Sequence, residues 1–206
     1  MAANKATISH GPVYMPVEQY LSLDDNTDGL YEYWHGIVIM LRPPSSAYID
    51  RAIINMADGS NTHAALCVRI ASLLDQSLLK SDSPCLTYSS DTRLMLAEDH
   101  YLHPDVTVAC SEQPTNTRLS NPKVIIEVLS PSTEDRDRNA KFETYRRLPS
   151  LQEYMLVGSQ YKAIEVHRRE GKFWRQYHYR EGDLVELTSI DVSFPFDDVY
   201  RRITLA

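Results

Sequence analysis

The stretch that most narrows the possible folds is Lys123–Leu129, KVIIEVL. It is an almost unbroken apolar run, the pattern of a central strand covered on both faces. Its one acidic residue, Glu127, sits with Ile125, Ile126, Val128 and Leu129 around it. An ionised carboxylate in an apolar sheet centre costs several kcal/mol unless it is paired or bound to a metal. Glu127 therefore demands a partner.

Asp105 raises the same question. It follows Pro104 at the start of DVTVAC and lies 22 residues before Glu127. Two neighbouring strands joined by a loop at 111–122 fit that gap. Both carboxylates then face the same side of the sheet at similar height. One reading is a buried ion pair with Arg93 or Lys141. The other is a metal-holding pair, because two carboxylates plus water suit an oxygen-seeking Mg²⁺ ion.

Lys141 is the third member of the group. Ser132–Leu148 (STEDRDRNAKFETYRRL) reads as a helix, with Ser132 as N-cap and Glu134 and Asp135 at the positive end of its dipole. At about 100° per residue, Lys141 lies within about 40° of Tyr145 and near Leu148, on the apolar side. An inward lysine is uncommon without a task or a partner. Its ammonium either reaches over the sheet edge toward Glu127 or snorkels outward while its stem covers apolar surface.

The rest of the chain frames these residues. Val17–Leu23 fits a short helix, and Leu30–Leu41 a hairpin bending at His35-Gly36. Residues 42–61 form a long connection of the kind that is often functional. Thr62–Leu79 is the clearest helix, with Leu66, Ile70, Leu73, Leu74 and Leu78 on one face and Asn61 or Thr62 as N-cap. Strands are expected over 86–96, 103–110, 123–129 and 153–157, then a meander of strands from Lys162 to Leu205. The order predicts an α/β domain with a central mixed β-sheet flanked by helices, and extra β-hairpins at both ends. Residues 1–15 read as a flexible arm and 16–206 as a single domain.

Composition removes several classes. The chain of 206 residues can bury a sizeable core unaided. No apolar run approaches the roughly 20 residues that span a membrane. Residues 1–10 are polar without a hydrophobic signal core, so the cytoplasm is the expected compartment. The three cysteines, Cys67, Cys85 and Cys110, form no CxxC pair and read as small buried hydrophobes rather than a disulfide framework. A net charge of −7 argues against a generic basic coat for nucleic acid. It leaves room for local, metal-assisted contact with phosphate.

Weaker candidates stand beside the main three. Glu32 is either a further carboxylate of the site or an exposed hairpin residue. His63 opens the long helix and could contact phosphate. Asp91 either pairs with Arg93 or reaches a metal. Ser130, Ser132 and Thr133 cap the following helix or offer exposed amides to phosphate. His103 and Asp105, with His167 or His178 downstream, are the raw material of a two-histidine, one-carboxylate iron site. The aromatic tail, with Phe173, Trp174, Tyr177, Tyr179 and Tyr200, has the makings of an interface, and a homodimer is expected.

The runs VEQYLSL, YEYWHGIVIM, ALCVRIASLL, YSSDTRLML, HPDVTVAC, NPKVIIEVLSPST and KFETYRRLPSLQEYMLV, in that order, resemble the Uma2 family (DUF820) over roughly residues 16–202. That family is grouped with the PD-(D/E)XK, restriction-endonuclease-like nucleases. The resemblance implies a restriction-endonuclease-like core and a site in which Pro104-Asp105 is the "PD" and Glu127 the "(D/E)". Two residues on, Leu129 stands where the superfamily pattern has a lysine. In Uma2-like sequences a lysine on the following helix takes that role, which here is Lys141. The 42–61 connection is enlarged relative to the family's glycine-containing loop.

The implied activity is Mg²⁺-dependent hydrolysis of phosphodiester bonds, with Mn²⁺ as a substitute ion and DNA as the expected nucleic acid. Asp105, Glu127 and the Val128 carbonyl would hold the metal, and Lys141 would assist the water nucleophile. The alternative is an inactive nuclease-like fold that binds a nucleic acid or a protein partner.

Overall fold

The computed structural model describes residues 13–42, 44, 54–55, 60–97, 99–110 and 118–205. Most of the expected N-terminal arm and of the 42–61 connection lies outside them. In chain order the elements begin with β1 (Val13–Tyr14), α1 (Val17–Asn26), β2 (Leu30–Trp34), β3 (Ile37–Arg42), β4 (Ile54–Asn55) and α2 (Asn61–Lys80). Then come β5 (Leu86–Ser89), β6 (Arg93–Ala97), β7 (His100–Leu102), β8 (Val106–Ala109), β9 (Arg118–Leu119) and β10 (Val124–Leu129). A composite helix follows, made of α3 (Glu134–Arg136), a π-helical turn (Asp137–Lys141) and α4 (Phe142–Tyr145). The chain continues with β11 (Glu153–Gly158), β12 (Ile164–Glu170), β13 (Phe173–Tyr179), β14 (Leu184–Leu187), β15 (Val192–Pro195) and α5 (Phe196–Tyr200).

The chain divides into two compact units, residues 1–57 with 97–102, and residues 58–96 with 103–206. In the first, β2 pairs antiparallel with β3 and β7, β1 pairs antiparallel with β3, and β4 runs parallel to β3. His35 and Gly36 turn the β2–β3 hairpin with φ of 46° and 87°, the positive values that a two-residue hairpin turn requires. Tyr20 of α1 stacks on Tyr33 at 4.7 Å and donates to the Tyr31 carbonyl, so one aromatic residue fastens the helix to the hairpin.

The second unit is built on a six-stranded sheet in the order β13-β12-β11-β10-β8-β5. β10 and β11 are parallel; the other pairings are antiparallel. The expected central mixed sheet is therefore present, with hairpins late in the chain (β12–β13, β14–β15) as well as early. Every residue of β10 is buried. Val124, Ile126 and Val128 share one apolar cluster with Leu66, Ile70, Leu74 and Leu78 of α2. The other face of β10 and β11 meets the composite helix, where Phe142 stacks on Tyr154 at 5.5 Å.

Several local expectations need correcting. The single strand expected over 86–96 is two strands, because Ser90, Asp91 and Thr92 form a turn closed by the Thr92 N–H on the Ser89 carbonyl. The N-cap of α2 is Ser60, whose Oγ accepts from the His63 N–H at 3.1 Å. Ser132 does not cap the second helix; the hydroxyls of Ser132 and Thr133 bond that of Ser130 instead. Leu73 is only half-buried. Cys85 and Cys110 are joined in a disulfide, since the β5–β8 register, Leu86 opposite Ala109, brings the two residues beyond it face to face. Cys67 alone remains a free thiol. No described helix is long and apolar enough to cross a membrane.

Candidate metal and phosphodiester site

Strand pairing places the two acids. Ile126 pairs with Val106, so the next rung sets Glu127 against Asp105 at the head of β8. The Val128 N–H donates to Asp105 Oδ2 at 2.7 Å. Pro104 has no N–H to give to a ladder, which suits the point where the chain enters the strand. Thus the apolar run that makes β10 a central strand also fixes the height of both carboxylates.

Lys141 meets Glu127 directly. Its Nζ lies 2.9 Å from Glu127 Oε1 and 3.1 Å from Asp137 Oδ1. The Tyr145 hydroxyl donates to the same Oε1 at 3.0 Å. Both of these donors meet the same oxygen of Glu127. Asp137, Lys141 and Tyr145 line one side of the composite helix at spacings of four. The π-helical turn carries Asp137 and Lys141, and its backbone is fixed by Tyr154, whose hydroxyl donates to the Asp137 carbonyl at 2.9 Å. Single π-turns of this kind recur at functional sites because they re-aim the side chains within them.

On the other side, His63 from the first turn of α2 places Nε2 3.2 Å from Asp105 Oδ2. Its Nδ1 lies 3.5 Å from Cys67 Sγ, one helical turn on. Burial works against the imidazolium, yet the hydrogen bond and charge of Asp105 outweigh it and raise the His63 pKa. Burial also pushes the Cys67 thiol far up, so it remains protonated.

The site is short of positive charge. Burial raises the Glu127 carboxyl from its ordinary value of 4.5 to about 8; Lys141 pulls it down, while Asp137 and Asp105 push it up. Three carboxylates face one ammonium and one imidazole. A divalent cation would correct that imbalance. The donors suit a hard ion, since Asp105 and Glu127 offer carboxylate oxygens and Val128 a backbone carbonyl.

Asp105, Glu127 and Lys141 are thus gathered as expected, and His63 joins them through Asp105. Asp91 lies exposed in the β5–β6 turn and is not among the residues whose ligating atoms converge there. Glu32 is not an exposed hairpin residue: it is buried on β2, in the first unit. His103 directs Nδ1 at the Ser90 carbonyl, 2.9 Å away, and His167 packs on Phe142. Among the described residues, none of His103, His167 and His178 belongs to a group of converging ligands, so the expected iron ligands are not gathered. Asp137 escaped the sequence reading, although its spacing of four from Lys141 marks the same helix face.

The chain belongs to the Uma2 family: the family model, described as "Putative restriction endonuclease", matches residues 42–196. An uncharacterized protein of Synechocystis sp., slr1290, is 35% identical over 160 residues, covering 76% of this chain and 83% of its own. A second from the same organism, sll1609, is 36% identical over 132 residues, covering 61% of this chain and 73% of its own. The crystal structure of a "putative nuclease belonging to DUF820" from Anabaena variabilis matches with a TM-score of 0.69 at 16% identity. The match covers 92% of this chain and 99% of that one, and shows a shared fold.

Proposed function

We propose that this protein is a divalent-metal-dependent nuclease that hydrolyses phosphodiester bonds, with DNA as the expected substrate. The observation that carries the reading is the convergence of Lys141 on Glu127 at 2.9 Å, beside a strand neighbour whose Asp105 is held by the Val128 N–H. Family membership supports the same class of chemistry.

Asp105, Glu127 and the Val128 carbonyl would hold Mg²⁺ or Mn²⁺. Such an ion polarises a phosphoryl oxygen and lowers the pKa of a bound water. Lys141 keeps Glu127 Oε1 occupied and would leave the other carboxylate oxygen to help hold the ion. Its ammonium also orients the attacking water and offsets charge that develops on the phosphate. Tyr145 fixes the Glu127 rotamer, and His63 does the same for Asp105. Asp137 holds the lysine at a set height. No covalent nucleophile is required.

The test is a panel of DNA and RNA substrates, duplex and single-stranded, with Mg²⁺ or Mn²⁺, run with wild type and Asp105→Ala. Cleavage by wild type and none by the variant is expected. If wild type binds metal yet cleaves nothing, the fold serves binding rather than hydrolysis. Light scattering at micromolar concentration reads the expected homodimer.

A further inference from the structure

The first unit carries a group of side chains that the nuclease reading does not use. Asp99 receives one imidazole on each carboxylate oxygen. His35 Nδ1 lies 2.7 Å from Oδ2 and His100 Nδ1 2.8 Å from Oδ1. The two rings meet edge to face with centroids 3.9 Å apart. The backbone joins the same grouping, with the His35 N–H on the Asp99 carbonyl at 3.1 Å. One ligating atom from each of the three residues lies within 4.8 Å of the other two.

Neutral rings can each donate Nδ1–H to their own Asp99 oxygen. A single divalent cation would replace those two protons, taking a lone pair from each ring and charge from the carboxylate at one point. Metal–nitrogen bonds of about 2.0–2.1 Å place adjacent ligand atoms about 3.0–3.4 Å apart. The two short N···O contacts are to different Asp99 oxygens, and the three ligand atoms, mutually within 4.8 Å, would converge on one ion by small side-chain rotations. His100 is buried and edge-on to Trp34 at 5.3 Å, which fixes one ligand. His35 and Asp99 are exposed, which leaves the outer face to water ligands. Two imidazoles and one carboxylate favour late first-row divalent ions over Mg²⁺.

We propose that His35, Asp99 and His100 form a binding site for a late divalent transition metal of the Zn²⁺ or Co²⁺ type. The ligand set shares no residue with the Asp105–Glu127 centre, and the proposal stands or falls independently of nuclease activity.

Trp34 supplies a local reporter. The chain has two tryptophans, so Trp174→Phe leaves Trp34 as the only one. Co²⁺ titrated into that variant should quench Trp34 fluorescence to saturation, and Zn²⁺ should reverse the quenching. His35→Asn is the decisive second change. It removes the imidazole but keeps an Asn-Gly pair, which favours the same hairpin turn. It should weaken Co²⁺ binding at least tenfold, and His100→Asn should do the same. Quenching that does not saturate, or that saturates at the same Co²⁺ concentration with His35→Asn, overturns the proposal.

Discussion

Glu127 and Glu153 occupy adjacent parallel strands of one sheet, and both side chains are buried, at 2% and 0% exposure. Their surroundings differ. Arg168 Nε and the Thr188 N–H reach Glu153 Oε1 at 2.7 and 3.1 Å. Oε2 accepts from the Ser189 N–H and hydroxyl at 3.0 and 2.6 Å. Every oxygen of Glu153 is thus satisfied by fixed donors, and it knits β11 to β12 and to the turn after β14. Glu127 has two donors on one oxygen, and Asp105 and Asp137 crowd it with like charge. A saturated buried carboxylate is structural; one left short of positive charge is where the proposed cation would bind.

That contrast can be broken in several ways. The largest effect is expected from Asp105→Ala and Glu127→Ala, which should abolish metal-dependent cleavage while the fold persists by circular dichroism. Glu153→Gln should do the reverse. It strands Arg168 and should cost about 3–5 kcal/mol in denaturant unfolding, with cleavage per folded molecule unchanged. Lys141→Ala should lower kcat about 100-fold, in the range of a lost transition-state donor, with metal affinity changed far less.

The pH dependence sharpens the comparison further. The Glu127 carboxyl titrates near pH 8 in the metal-free fold, against an ordinary value of 4.5. The folded state therefore binds the extra proton. That stabilisation is complete below about pH 4.5 and lost as pH rises through about 8. Unfolding free energy of the metal-free wild type should fall across that window, and Glu127→Gln should flatten the fall. The smallest effect belongs to Tyr145→Phe. Removing one hydrogen bond to Glu127 should change metal binding by about 1 kcal/mol.

Much of this centre was legible in the sequence because it rests on two strong signals. An acid inside KVIIEVL must have a partner, and a lysine on the apolar side of a helix either reaches that partner or snorkels outward, which the structure decides in favour of Glu127. Asp137 was legible too, since its spacing of four puts it on the Lys141 face, but it does not stand out among the many charged residues of that helix. Glu153 drew no notice because its partners come from Arg168, Thr188 and Ser189, joined to it by tertiary contact. The Cys85–Cys110 bridge was hidden for a related reason: it depends on strand register, which residue spacing alone does not give. His35 was read only as a bend, since its partners Asp99 and His100 lie far along the chain.

The most direct test is calorimetric titration of Mn²⁺ into wild type and Glu127→Gln at pH 7, in two buffers of different ionisation enthalpy. The account predicts binding to wild type with proton release, and affinity at least tenfold weaker without release in the variant. Equal affinity and equal proton release in both proteins would contradict it.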